Sequence, residues 1–378
     1  MISLSDEQRL LVNTLSDLAE SEFGDQDIDG DADRMMDNVK TLAEAGFVGV
    51  NFPEKYGGGG MSEIDALLTI EAVGRVDPDV SGYLATQQFT GPRAIEMFGS
   101  DAVKEDYLPR VTAGETGIAI AISEPNAGSD IRSMNTRVIE ENGQYILNGE
   151  KILVSRVPYS DAAVVWAKFE DGFGTVVIDF DWAGVEIQQH FTNMAGHKQT
   201  QFYMEDVEVP EEYVITHGSD GFKNQLKALN WERLGAAVGT NTIARCAADK
   251  ALEYAHDREQ FDQPIGDFQG IEWKIADMLK ELEPSRALSY MAADKAHRED
   301  SSPDRMFASI AKLYSAEMAE SVVSEALQIF GANGYQQGHD LEYLYRLARG
   351  YRIAGGTDEV VKNQIAAAAK RDGLLSLT

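Results

Sequence analysis

Glu232 lies in the run Leu229-Asn230-Trp231-Glu232-Arg233, inside a long tract of helical period. On a helix, residues three, four and seven apart share a face. For Glu232 these are Gln225, Ala228 and Leu229 before it and Gly235, Ala236 and Gly239 after it, with no basic residue at i±3 or i±4. A carboxylate on so small-sided a face has room for a ligand beside it. Desolvation there raises a carboxyl's affinity for a proton, which makes Glu232 a candidate general base. A glutamate reaching an arginine on another element fits the same pattern, and the helix alone does not choose.

A second stretch, Gly117 to Asp130 (GIAIAISEPNAGSD), has chemistry at its end. Ile118, Ile120 and Ile122 alternate with Ala119 and Ala121, the period of a buried strand. The strand stops at Ser123 and Glu124, and Pro125 cannot donate to a ladder. Asn126-Ala127-Gly128-Ser129-Asp130 then forms a loop of small residues bearing amide, hydroxyl and carboxylate groups. Such a loop lets a planar ligand approach the backbone; a strand ending in an ordinary turn reads the same way.

Other chemistries have no motif to carry them. No G-x-G-x-x-G lies between a strand and a helix, and there is no Walker loop or G-x-S-x-G elbow. The six histidines show no metal-ligand spacing, so no metal is expected. The 378 residues include 63 acidic and 33 basic side chains, a formal net charge of −30. That charge argues against nucleic acid and anionic membrane surfaces as partners, and it suits a high-salt interior that screens self-repulsion. The one cysteine, Cys246, excludes an intramolecular disulfide and suits a reducing compartment. The opening MISLSDEQRL has no secretory pattern, and no apolar run approaches the roughly 20 residues of a spanning helix. A soluble, cytoplasmic protein is expected.

The elements that position these residues come in three blocks. Ser5 and Gln8 form a capping-box pattern ahead of Leu10, Leu11, Leu15, Leu18 and Ala19. Met35, Met36, Val39, Leu42 and Ala43 give a second helix ending near Gly46, and Ser100 is a further N-cap. From Gly117 the period changes to short apolar runs at 145–147, 151–154, 163–167 and 175–178, separated by Asn142-Gly143, Asn148-Gly149 and Asp171-Gly172. Helical tracts return over 222–255, 267–297 and 303–330 and after Thr357, with Pro284 expected to kink or break the second. The fold class is therefore α+β multidomain. A helical N-terminal domain spans 1–115, a β-sandwich or small barrel 116–216, and a C-terminal four-helix bundle 217–378. With no repeat and no low-complexity linker, the three are expected to pack as one compact unit.

The strand-loop stretch resembles the acyl-CoA dehydrogenase signature, close to A-x-T/S-E-P-x-A-G-S-D, and later segments match that family in order over essentially the whole chain. Arg352 to Val360 (RIAGGTDEV) resembles the family's flavin-proximal I-Y-E-G-T-S-E-I, with Gly355 where many members carry the base. The isovaleryl-CoA and long-chain members instead place a base on the bundle helix within a local E-R motif, which Glu232-Arg233 matches. The resemblance thus implies Glu232 as the base and the Gly355 backbone N–H as a donor to the thioester oxygen.

By the same resemblance, Ile120, Ile122, Ser123, Gly128, Ser129 and Ser155 contact FAD, and Leu153 replaces a common tryptophan. Arg258, Gln260 and Phe261 match an R-x-x-F segment that reaches the FAD of a neighbouring subunit, although Asp262 replaces a usual glycine. Gln328, Gly331, Ala332, Thr357 and Glu359 match cofactor-binding stretches of the bundle. Ser129, Asn230 and Arg233 match substrate-contacting positions, Arg233 being equally suited to a bundle ion pair.

The implied activity is FAD-dependent desaturation of an acyl-CoA to its trans-2-enoyl-CoA. Electrons would pass to an electron-transferring flavoprotein, and the chain would work as a homotetramer. Alternatives are oxygen or nitroalkane chemistry on the same flavin, or a catalytically silent flavin- or CoA-binding subunit. The charge carries a prediction of its own. Raising KCl from about 0.1 M to 1 M shortens the Debye length from about 10 Å to 3 Å and should raise the melting temperature. A melting temperature that falls with added KCl contradicts it.

Overall fold

The computed structural model describes residues 4–24, 26–299 and 301–374. Six helices come first: α1 (Asp6–Phe23), α2 (Ala32–Glu44), α3 (Glu63–Gly74), α4 (Pro78–Phe89), α5 (Gly91–Phe98) and α6 (Asp101–Thr112). The capping box is present: Gln8 N–H donates to Ser5 Oγ and Ser5 N–H to Gln8 Oε1, both at 3.1 Å. The buried face of α1 is Leu11, Leu15, Ala19 and Phe23, while Leu10 is 68% exposed. Ser100 caps α6 by accepting from Val103 N–H at 3.2 Å.

Eight strands follow: β1 (Gly117–Ala121), β2 (Arg137–Glu141), β3 (Gln144–Ser155), β4 (Ser160–Phe169), β5 (Gly172–Asp179), β6 (Val185–Thr192), β7 (Lys198–Val209) and β8 (Val214–Thr216). They hydrogen-bond in the order β6-β7-β3-β2-β4-β5-β8, with β1 parallel to β4. The two halves of this sheet pair where Arg137 of β2 meets Lys168 of β4. Side chains of both halves, among them Leu147, Phe202, Val165 and Ile178, share one core, so the sheet folds over itself as a sandwich. Both faces of β4 are covered: Ala163, Val165 and Ala167 enter that core, and Ala162 and Val164 pack with α5 and α6.

Asn142 and Gly143, both at positive φ, form the two-residue hairpin between β2 and β3. Asn148-Gly149 does not make a turn. The runs on either side of it are one strand, β3, and the pairing register shifts between Leu147 and Gly149, a bulge. A Cβ on Gly149 would come 2.3 Å from Thr136 Oγ1, so close approach of the neighbouring strand explains the glycine.

The remaining helices are α7 (Gly221–Asp257), α8 (Gln269–Arg298), α9 (Arg305–Phe330), α10 (Asp340–Tyr351) and α11 (Asp358–Asp372); a small hairpin, β9 (Glu259–Gln260) with β10 (Gln263–Pro264), follows α7. Pro284 does not break α8, which is continuous from Gln269 to Arg298. Pro284 and Lys280 both lie on the exposed side, so water can satisfy the carbonyl that loses its intrahelical donor. The described residues group into two compact units. One comprises Met1–Asn38, Glu63–Ala85 and Arg233–Thr378; the other Val39–Ser62 and Thr86–Glu232. The N-terminal helices divide between them. In the first unit, Glu71 of α3 accepts from Tyr290 Oη at 2.6 Å and from Arg286 Nε at 2.8 Å, both on α8. No described helix is long and apolar enough to cross a membrane.

An exposed proline inside a helix points to a measurable gain on removal. Pro284→Ala restores one backbone hydrogen bond and is expected to raise unfolding free energy by roughly 1–3 kcal/mol, after the entropy it returns to the unfolded chain. Urea denaturation showing a loss of stability contradicts that.

Candidate active site

In the second compact unit the opening turns of α7 form one wall of a small cavity of about 10 Å³, room for about one water. Gln225, Ala228, Leu229 and Glu232 line it from α7. Ala94 and Phe98 of α5 and Thr90 before it form another wall, and Ile120, Val164, Trp166, Thr175 and Thr216 close it from the sheet. Glu232 is half-buried and shares this space with the three helical neighbours expected on its N-terminal side. The structure therefore brings Glu232 and Ile120 together. The remaining polar groups form a chain: Gln225 Nε2 donates to Thr216 Oγ1 at 2.9 Å, and Thr216 and Thr175 share a hydrogen bond at 3.0 Å.

The residue after Glu232 turns elsewhere, since neighbours on a helix are about 100° apart. Arg233 is only 3% exposed, and its Nη1 donates to Ser309 Oγ of α9. Asn230 is 7% exposed. Neither occupies an open surface, and Arg233 has a partner inside the bundle.

The end of β1 is held by a buried ion pair. Lys151 Nζ donates to Glu124 Oε1 at 2.9 Å and to the Ile122 carbonyl at 3.0 Å, with side-chain exposures of 0% for Lys151 and 2% for Glu124. The Glu124 carboxylate also accepts from Asn135 N–H at 2.5 Å and Thr136 N–H at 3.0 Å. Ile152 N–H donates to the Ser123 carbonyl at 2.9 Å, which ties the strand end to β3. Burial works to raise the Glu124 carboxyl's pKa, yet these donors hold it below its ordinary value. Burial pushes Lys151 down to about 8, against the pull of Glu124.

Within this frame Ile122 and Ser123 are half-buried, and Gly128 and Ser129 are exposed on the loop. A Cβ on Gly128 would meet nothing within 4 Å, so the space beside it is open. Ser155, at the end of β3, is exposed, and its Oγ accepts from Gln199 Nε2. Beside it Leu153 has φ +58 and is 49% exposed, turned outward by a register shift between Lys151 and Val154. A leucine held in that left-handed region costs about 1–2 kcal/mol, paid for by neighbouring structure.

The other predicted residues lie in the first compact unit. Arg258 and Gln260 line a groove of about 270 Å³ with Ala332, Tyr254, Phe330 and Asn333, so two stretches about seventy residues apart in sequence meet. Tyr254 and Phe330 stack with centroids 4.0 Å apart, and Asn333 Nδ2 donates to Tyr254 Oη at 2.9 Å. Gly331 ends α9 at φ 59 and ψ −135, a backbone open only to glycine. Gln328 is exposed and its carbonyl accepts from Gly331 N–H. Phe261 is 89% exposed at the tip of the β9–β10 hairpin, where it and Asp262 have φ of 56 and 64.

The loop before α11 is equally fixed. Gly355 has φ 66 and is exposed, a conformation that suits glycine better than the carboxylate residue the family often has there. Lys312 Nζ donates to the Gly356 carbonyl at 2.7 Å, and Arg352 bridges Asp358 and Glu320, each at 2.7 Å. Thr357 caps α11 by accepting from Val360 N–H at 3.3 Å. The Glu359 carboxyl lies below its ordinary value through backbone N–H donation at the helix start and the Thr357 hydroxyl.

Three family descriptions cover the chain: the acyl-CoA dehydrogenase N-terminal domain over residues 5–115, its middle domain over 119–207 and its C-terminal domain over 219–370. This chain belongs to the acyl-CoA dehydrogenase family. Its relatives include subunit CarC of the caffeyl-CoA reductase–Etf complex of Acetobacterium woodii, 31% identical over 94% of this chain and 96% of that one. Butyryl-CoA dehydrogenase from Megasphaera elsdenii has the same fold with a TM-score of 0.89 and 29% identity, over 98% of this chain and all of that one. PigA in complex with FAD matches with a TM-score of 0.89 and 26% identity over 98% of this chain and 99% of its own.

As a member of this family the chain is an FAD-dependent oxidoreductase acting on the CH–CH group of acyl-CoA thioesters. Its residues fit the cofactor: open space beside Gly128, exposed hydroxyls at Ser129 and Ser155, and a groove with a cation and stacked rings at Arg258. The residue that sequence reasoning missed is Lys151. It stands in an apolar strand run, and nothing local marks its pairing with Glu124, 27 residues earlier.

Breaking a buried pair leaves one charge uncompensated and costs about 3–5 kcal/mol. Lys151→Met is expected to lose that much stability, and adding Glu124→Gln to recover part of it. The pH dependence isolates the lysine. Because its folded pKa of about 8 lies below the ordinary 10.5, the unfolded chain binds more protons between those values. The stability difference between wild type and Lys151→Met should therefore widen as pH rises through that window. A difference that stays flat or narrows contradicts it.

Proposed function

We propose that this chain removes the α-proton of an acyl-CoA thioester with Glu232 and yields the trans-2-enoyl-CoA. The observation carrying this is the placement of Glu232 on the wall of the cavity, among Ala94, Phe98, Ile120, Val164, Trp166, Ala228 and Leu229. The apolar side chains around it help keep bulk water away from the point where a carbon acid would give up its proton. Bound FAD supplies the acceptor for the β-hydride, for which no side chain has the chemistry. The Gly355 backbone N–H is proposed to stabilise negative charge on the thioester oxygen, a duty that needs no side chain. Ser129 is proposed to face the thioester, and Asn230 and Arg233 to orient the helix segment bearing Glu232.

For the cofactor, Ile120, Ile122, Ser123, Gly128, Ser129 and Ser155 would hold the ring system. Arg258, Gln260 and Phe261 would reach the FAD of a second copy, with Gln328, Gly331, Ala332, Thr357 and Glu359 completing the binding stretches. An 89% exposed phenylalanine on a strained hairpin tip supports a covering second copy, and the family resemblance extends this to a homotetramer. The relative that forms part of an Etf complex supports an electron-transferring flavoprotein as acceptor. The three-part division at 1–115, 116–216 and 217–378 and a cytoplasmic location complete the proposal.

Glu232→Gln is expected to retain FAD while flavin reduction by acyl-CoA slows by about a hundred- to ten-thousandfold. Anaerobic stopped-flow bleaching measures it, and near-normal reduction removes Glu232 from the mechanism. In the wild type, bleaching by an acyl-CoA distinguishes a dehydrogenase from a silent subunit. Rapid oxygen consumption without an acceptor protein would point to oxygen or nitroalkane chemistry instead.

A further inference from the structure

Gly355 and Gly356 follow each other at φ of 66 and 102 in the loop that leads into α11. Two glycines in a row leave a backbone many conformations, and neither has a side chain to hold it. The loop is fixed from outside instead. Its ends are tied together: Asp358 N–H donates to the Arg352 carbonyl at 3.2 Å, and Arg352 Nε donates to the Asp358 carboxylate at 2.7 Å. Its middle is tied to α9, where Lys312 Nζ donates to the Gly356 carbonyl at 2.7 Å. All of these residues belong to the first compact unit.

Lys312 is only 2% exposed. Withdrawing an ammonium from water is costly, and a methionine would fill much the same space without that cost. What methionine lacks is a short, charge-assisted bond that fixes where a carbonyl points. Resting on the reading of the Gly355 N–H as donor to the thioester oxygen, we infer that Lys312 is a positioning residue for that donor. By holding the Gly356 carbonyl it limits rotation about both glycines, and with it the direction of the Gly355 N–H. Arg352 closes the same turn at its ends. Lys312 thus acts through the backbone, from a helix of 26 residues that supplies a rigid base. Precision matters here, because a displacement of about 1 Å at a reacting centre can slow a step by about a hundredfold.

Infrared difference spectra of the FAD-loaded full chain test this, with crotonyl-CoA and trans-2-decenoyl-CoA isotopically labelled at the thioester carbonyl. A hydrogen bond donated to that oxygen lowers its stretching frequency. In the wild type the band is expected below that of the thioester free in water. In Lys312→Met it should return most of the way to the free value, a change that a merely structural role would not produce. Flavin reduction by butyryl-CoA or decanoyl-CoA should slow by about ten- to a hundredfold, with thioester dissociation constants changed by less than about threefold. Lys312→Gln, whose amide is one bond too short to reach, serves if the methionine variant does not fold. A wild-type shift that persists undiminished in the folded variant overturns the role of Lys312 and leaves that of Gly355 intact. A wild-type band at its free value overturns the Gly355 reading itself, and this inference with it.

Discussion

A proton acceptor for a carbon acid must sit where water does not level its basicity, yet the fold must tolerate a carboxylate there. Helix α7 meets both demands with one face. Gln225, Ala228, Leu229 and Glu232 lie along it at helical spacing, and the small or apolar residues between the two polar ends leave a cavity that the sheet and α5 close. Arg233, one residue on, is buried against Ser309, so the same turn of helix that presents the carboxylate is anchored through its neighbour. On the proposed reading, chemistry and packing are carried by adjacent residues on different faces.

The second dependence is the end of β1. The loop bearing Gly128 and Ser129 is held by Asn126 Nδ2 donating to the Ser133 carbonyl and Ser133 Oγ donating to Asp130, and from below by the end of β1. Glu124 collects two backbone N–H donors and a lysine, and Lys151 spends a donor on the Ile122 carbonyl. A buried pair of this kind contributes little net stability compared with apolar residues of the same size, but it specifies one geometry. The loop before α11 follows the same logic with Arg352, Lys312 and a glycine backbone in place of a side chain.

Local features were legible in the sequence: the Ser5 and Ser100 caps, the Asn142-Gly143 hairpin, the alternation of β1 and the long helices of the last third. Features set by distant partners were not. Asn148-Gly149 has turn chemistry but serves a bulge, because Thr136 of the neighbouring segment leaves no space for a side chain. Pro284 lies in a helix whose lost hydrogen bond faces solvent, so its penalty stays small enough to keep the helix whole. The sorting of the N-terminal helices into two units depends on contacts such as Glu71 with Arg286, more than two hundred residues apart. At the site, Glu232 and its helical neighbour Gln225 could be picked out from helical spacing, whereas Thr175 and Thr216 come from two strands and carry no shared motif.

The position of Glu232 relative to the substrate is the quantity everything else serves. A crystal structure of the FAD-loaded protein with a non-reactive acyl-CoA analogue measures it directly. The account predicts a Glu232 carboxylate oxygen about 3–3.5 Å from the carbon that would lose its proton. A Glu232 carboxylate turned away from that carbon would contradict it.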